Sequence, residues 1–112
     1  MNLRNINGTS GRDCACGSWL KHWETFAGRS APEYCPVDGC LEKRLVGAHV
    51  QNDSSTDKSW FIAPLCAKHN AKAGSLSVPD WVVLVSANLS LTCEKALQSG
   101  PSGLGGLYSL RR

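Results

Sequence analysis

An α+β fold in one small domain is what this sequence predicts, and three features predict it. Cys35-x4-Cys40 and Cys66-x2-His69 are two close pairs of soft or borderline metal ligands, separated by two short apolar runs, Leu45 to Val50 and Trp60 to Leu65. Trp19, Trp23 and Phe26 recur at i, i+4 and i+7, which gives one apolar face to a helix. Trp81-Val-Val-Leu-Val85 is continuous and β-branched, the pattern of a strand buried on both faces.

Two ligand pairs with a spacer present two knuckles to one tetrahedral ion, so Cys35, Cys40, Cys66 and His69 read as a Zn²⁺ site. A pair of disulfides is the alternative, and it needs an oxidising compartment. Met1-Asn-Leu-Arg-Asn-Ile-Asn7 contains no apolar stretch of the secretory type, so the expected location is cytoplasmic, where thiols stay reduced. Inert buried thiols are a third reading, but Gly39-Cys40 and Pro64-Leu65-Cys66 stand at turn-like punctuation, where metal knuckles form. At 112 residues the chain holds one domain with a modest core, which a metal staple would reinforce. With 42% hydrophobic and 19% charged residues it is not a disordered chain. A net charge of +3 permits a phosphate-bearing partner without requiring one, and no apolar run approaches membrane-spanning length.

In chain order, residues 1–13 are polar, lack periodicity and read as a loose N-terminal arm. Residues 14–98 form the single domain. Ser18 is an N-cap for a helix over Trp19–Ala27 that Gly28 closes, with its three aromatics as core and His22 on the solvated side. A Pro-containing connection leads from Arg29 to Tyr34. Leu45 to Val50 is a first strand, in which Gly47 and Ala48 allow another backbone or a metal close by, and which carries His49. Gln51 to Ser59 is an exposed polar loop, and Trp60 to Leu65 a second strand. Ala67 to Ala73 is a short helix ending at Gly74, and Ser75 to Pro79 a connector. After the strand at Trp81, Thr92 caps a last helix through Gln98, and residues 99–112 form a flexible basic tail.

A knuckle, a strand with a late histidine, a loop, a second strand, a second knuckle and a helix follow one another from Tyr34 to Gly74. This order resembles the HNH endonucleases, the zinc-stapled branch of the ββα-metal or His-Me finger fold. The resemblance implies a ββα-metal-like centre with Cys35, Cys40, Cys66 and His69 as the structural zinc ligands. It further implies His49 as the general base that activates water, and Asn70 as a ligand of a catalytic Mg²⁺ or Mn²⁺. Lys43, Arg44, Lys68 and Lys72 would then contact phosphates. Two family positions differ: Ala48 stands where an acidic metal ligand precedes the base, and Phe61 where an asparagine orients it. A hard cation would therefore need Asn52, Asp53 or Asp57 from the loop.

Cys14-x-Cys16 and Cys93 suggest a second zinc site completed by His49 or His22; three unrelated buried thiols are the alternative. Together these readings describe an HNH-like zinc-binding module that binds DNA or RNA with a lapsed or weak nuclease site. An active endonuclease using His49 and a structural or protein-interaction zinc domain are the alternatives.

Overall fold

The computed structural model describes residues 1–6 and 17–88. Seven elements follow in order: β1 (Asn2–Asn5), α1 (Trp19–Ala27), β2 (Leu45–Asn52), β3 (Phe61–Cys66), α2 (Ala67–Asn70), β4 (Ser75–Ser77) and β5 (Val85–Ser86). The strands form one antiparallel sheet in the order β4-β1-β2-β3-β5, so the fold is mixed α+β. Among the described residues no helix is long and apolar enough to cross a membrane.

Helix α1 begins and ends where its capping residues dictate. The Ser18 hydroxyl accepts from the Lys21 N–H at 3.0 Å, and the Gly28 N–H closes on the Glu24 carbonyl at 3.1 Å. Its apolar face rests on the sheet: Trp23 is 1% exposed and packs with Ile62 and Val85, with Trp19 and Phe26 around them. The Trp23 indole N–H donates to the Val83 carbonyl at 2.7 Å. Gly47 lets the helix start settle on β2, because a Cβ there would stand 2.6 Å from the Trp19 carbonyl oxygen and 2.5 Å from the Leu20 nitrogen. Those are backbone atoms and cannot swing aside. Gly47→Ala should therefore lower stability by about 1–3 kcal/mol, the usual cost of overpacking, and an unchanged urea midpoint would mean that α1 does not seat there.

The sheet separates two apolar clusters. One face carries Leu3, Ala48, Val50, Ala63, Leu65 and Leu76, joined by Val78, Val82, Cys35 and Cys66. The other lies beneath α1. Residues facing each other across β2 and β3 share a side, so Ala48 goes with Ala63, and His49 with Ile62.

Several expectations need correction. Residues 2–5 are not a loose arm: Leu3 is 0% exposed and pairs with Asn52 on one side and Leu76 on the other. Four residues of alternating burial are too short for their periodicity to stand out, and both partner strands are distant in the chain. Trp81 to Val85 is not a strand buried on both faces. Only Val85–Ser86 pairs with β3, Val82 N–H closes a turn on the Pro79 carbonyl, and Trp81 is 55% exposed. The apolar run instead straddles the two clusters, with Val82 in one and Val85 in the other. His22 is not solvated but 0% exposed. Strand β2 runs on to Asn52, β3 is shifted to Phe61–Cys66, α2 stops at Asn70, and the expected connector contains β4. The expected helix from Thr92 to Gln98, the tail over residues 99–112, and Cys14, Cys16 and Cys93 lie outside the described residues.

Candidate metal centre

The first knuckle is a turn that the backbone closes on itself. Cys40 N–H donates to the Val37 carbonyl at 2.9 Å, and Gly39 between them has φ +79°, a left-handed conformation natural to glycine. Cys35 N–H donates to the Glu42 carbonyl at 2.7 Å, bringing the chain back toward β2. The knuckle is docked on β4, since Asp38 N–H donates to the Ser77 carbonyl at 3.0 Å and the Ser77 hydroxyl to the Asp38 carboxylate at 2.6 Å. The second knuckle is the junction of β3 and α2. Cys66 occupies the N-cap of α2 and His69 lies three residues on, one turn away on the same side.

Cys35, Cys40, Cys66 and His69 offer ligand atoms that all lie within 4.8 Å of one another. Cys40 Sγ is 3.9 Å from Cys66 Sγ, and His69 Nδ1 is 3.3 Å from Cys66 Sγ and 3.6 Å from Cys35 Sγ. A tetrahedral ion with metal–sulfur bonds near 2.3 Å and metal–nitrogen bonds near 2.0 Å spaces its ligands about 3.6–3.8 Å apart. The three thiols and the imidazole therefore fit a metal ion such as zinc. Cys66 N–H also donates to Cys35 Sγ at 3.3 Å, the kind of contact that steadies a thiolate.

The electrostatics differ from ligand to ligand. Burial pushes the Cys35 thiol up to about 11, against the opposing backbone N–H groups of Cys66 and Val37. Burial also acts to raise Cys66, but backbone N–H groups of His69 and Lys68 and the Cys35 and Cys40 thiols outweigh it and bring the thiol below its ordinary value. The His69 ring is held below the usual histidine range by its burial and then by the Lys68 and Lys72 charges, which favours the neutral imidazole that ligation requires.

His49 and helix α2, which carries Asn70, are held from opposite faces of the sheet. His49 lies on the α1 face, its ring 4.5 Å edge-on from that of Trp19. Helix α2 is fastened from the opposite face by Asn5, whose cross-strand neighbour Val50 points away from α1. The loop groups expected to substitute for the missing acid serve local structure instead. Asn52 accepts from Ser54 N–H, Asp53 pairs with Arg4 at 3.3 Å, and Asp57 accepts from Ser59. All four cations are exposed, and Lys43 lies 5.4 Å over the Tyr34 ring and 3.7 Å from Glu33. Asn5 was not foreseen as part of this neighbourhood, because nothing in a polar tetrapeptide marks contacts 64 and 67 residues away.

His22 and His49 lie on the same face, both against Trp19. Of the expected second ligand set, these two are described; its cysteines are not. The His22 Nε2–H donates to the Ser86 carbonyl at 2.9 Å, which places the proton of the neutral ring on Nε2. Burial lowers the pKa of both rings; the Ser86 bond partly offsets this for His22, and the His22 charge adds to it for His49. Both folded values therefore lie below the ordinary 6.5. Above that pH neither state is protonated; below it the unfolded chain takes up protons first, so stability falls as acid is added until the folded values are passed. The melting temperature should accordingly decline as the pH falls below about 6.5, and the slope should flatten in His22→Gln. Equal slopes in the two proteins would exclude His22 as a source.

Neither a known protein family, nor a curated protein, nor a solved structure matches this chain.

Proposed function

We propose that this chain is a zinc-stapled binding module of the HNH-like type, in which Cys35, Cys40, Cys66 and His69 hold one Zn²⁺ and neighbouring cations contact the phosphates of DNA or RNA. The Cys₃His cluster is the observation that carries the reading. Three thiols and an imidazole suit zinc and not the hard cations, which prefer oxygen. When bound, the ion supplies a cross-link between the first knuckle, β3 and α2. The antiparallel pair β2–β3 running straight into α2 supports the HNH-like likeness. Exposed Lys68 and Lys72 flank ligand His69, and exposed Arg44 precedes Leu45, the cross-strand neighbour of Cys66. The packing of His49 against Trp19 of α1, with Ala48 buried beside it, favours a lapsed nuclease over an active one.

The test measures fluorescence anisotropy of labelled duplex and single-stranded oligonucleotides. Affinity should fall steeply between about 50 and 200 mM salt, because phosphate contacts release counterions, and the paired change Lys68→Glu with Lys72→Glu should weaken it for every sequence. Absence of salt-dependent binding would leave a protein-interaction or purely structural zinc domain. Plasmid DNA should stay intact with Mg²⁺ or Mn²⁺; nicking that His49→Ala abolished would restore the nuclease. Elemental analysis should find one zinc per chain. A second equivalent that disappeared in His49→Ala would assign Cys14, Cys16, Cys93 and His49 as another site.

A further inference from the structure

Helix α2 carries one of the four ligands, yet it is only four residues long. A single helical turn has almost no intrinsic stability, since its carbonyls find few partners within it. Its own closures are Ala71 N–H to the Ala67 carbonyl at 3.1 Å and Lys72 N–H to the His69 carbonyl at 3.2 Å. Something outside must hold it. Asn5 does so: its Nδ2 donates to the His69 carbonyl at 2.6 Å and to the Lys72 carbonyl at 2.9 Å. Asn5 is 9% exposed, and among the described residues its Oδ1 has no hydrogen-bond partner. Leaving a buried acceptor unmet costs about 1–3 kcal/mol, so this amide is an expensive choice for a position where an apolar residue would pack. What the amide provides is two donors on the turn that presents His69.

We propose that Asn5 is a positioning residue of the metal centre: a clamp from β1 that fixes α2 so that His69 Nδ1 converges with Cys35, Cys40 and Cys66. The inference rests on the zinc reading above. Groups that orient a ligand from behind it tune how tightly the ion is held, and their loss usually costs about 10–100-fold in metal affinity. Asn5 acts through the backbone of the ligand and not on its ring, so its effect is on how often the turn opens.

The experiment follows transfer of zinc from the folded protein to a chromophoric chelator, and the visible spectrum of the cobalt-substituted protein. Asn5→Ala should speed zinc release by about 10–100-fold and broaden or shift the tetrahedral cobalt bands. Asn5→Leu keeps the volume and removes the unmet acceptor together with both donors, so it should stay folded in excess zinc and still release zinc faster. Val85→Ala, a core change under α1, sets the level expected from general destabilisation and should leave the cobalt bands unaltered. Wild-type release and spectra in Asn5→Leu, or release no faster than in Val85→Ala, would overturn the clamp while leaving the metal site standing. A wild-type protein that takes up neither zinc nor cobalt would overturn both.

Discussion

A strong chelator under reducing conditions should abolish the cooperative thermal transition of this protein. Binding of structural zinc contributes on the order of 10–16 kcal/mol to folding in small modules, against a total stability of about 5–15 kcal/mol for a whole domain. The larger number decides the outcome. Here the four ligands come from the first knuckle, the end of β3 and α2, and two of them, Cys35 and Cys66, belong to the main apolar cluster. Without the ion, the three thiols and the imidazole are left crowded around a polar gap, and the first knuckle keeps its Asp38–Ser77 contacts and a few turn bonds. Cys66→Ser should collapse the fold in the same way, whereas Asn70→Ala, on a half-buried amide outside the ligand set, should not. Calorimetry and amide chemical-shift dispersion would show this. A chelated sample that melts as before would refute the staple.

Leu3→Ala should lower stability by about 2–5 kcal/mol, the range for truncating a fully buried leucine. Leu3 has no exposed surface and stands between Asn52 of β2 and Leu76 of β4. Strand β4 has three residues and its sheet partner is β1, so weakening β1 also loosens the surface on which the first knuckle docks. Deleting residues 1–5 should therefore do more than shorten the chain: it should expose the edge of β2 and leave α2 without the Asn5 donors. Urea unfolding measures both variants. A true arm would cost less than about 0.5 kcal/mol on removal, and that result would place β1 outside the cooperative unit.

The Cys/His cluster and helix α1 were legible because their signals are local. Ser18 and Gly28 bound the helix from within ten positions of each other, and each knuckle is a short turn with both ligands in view. Strands β2 and β3 were legible for the same reason, as apolar runs on either side of one polar loop. Where the sequence misled, the deciding partner was remote. The tetrapeptide of β1 becomes a strand only because β2 and β4 lie on both sides of it, and the run from Trp81 to Val85 loses most of its strand character to a turn at Pro79 and to the indole of Trp23. His22 looked like the polar side of an amphipathic helix, but residues 83–87 pack along that helix too, so the ring is buried against Ser86. His49 and Asn70 fall in the right order along the chain, yet alternation along β2 turns the histidine toward α1 while Asn5 ties α2 to the other face. Residue types and spacings are fixed in one dimension and suffice for ligand pairs and helix caps; which face of a sheet a side chain points to depends on register, and register is settled only when distant strands pair.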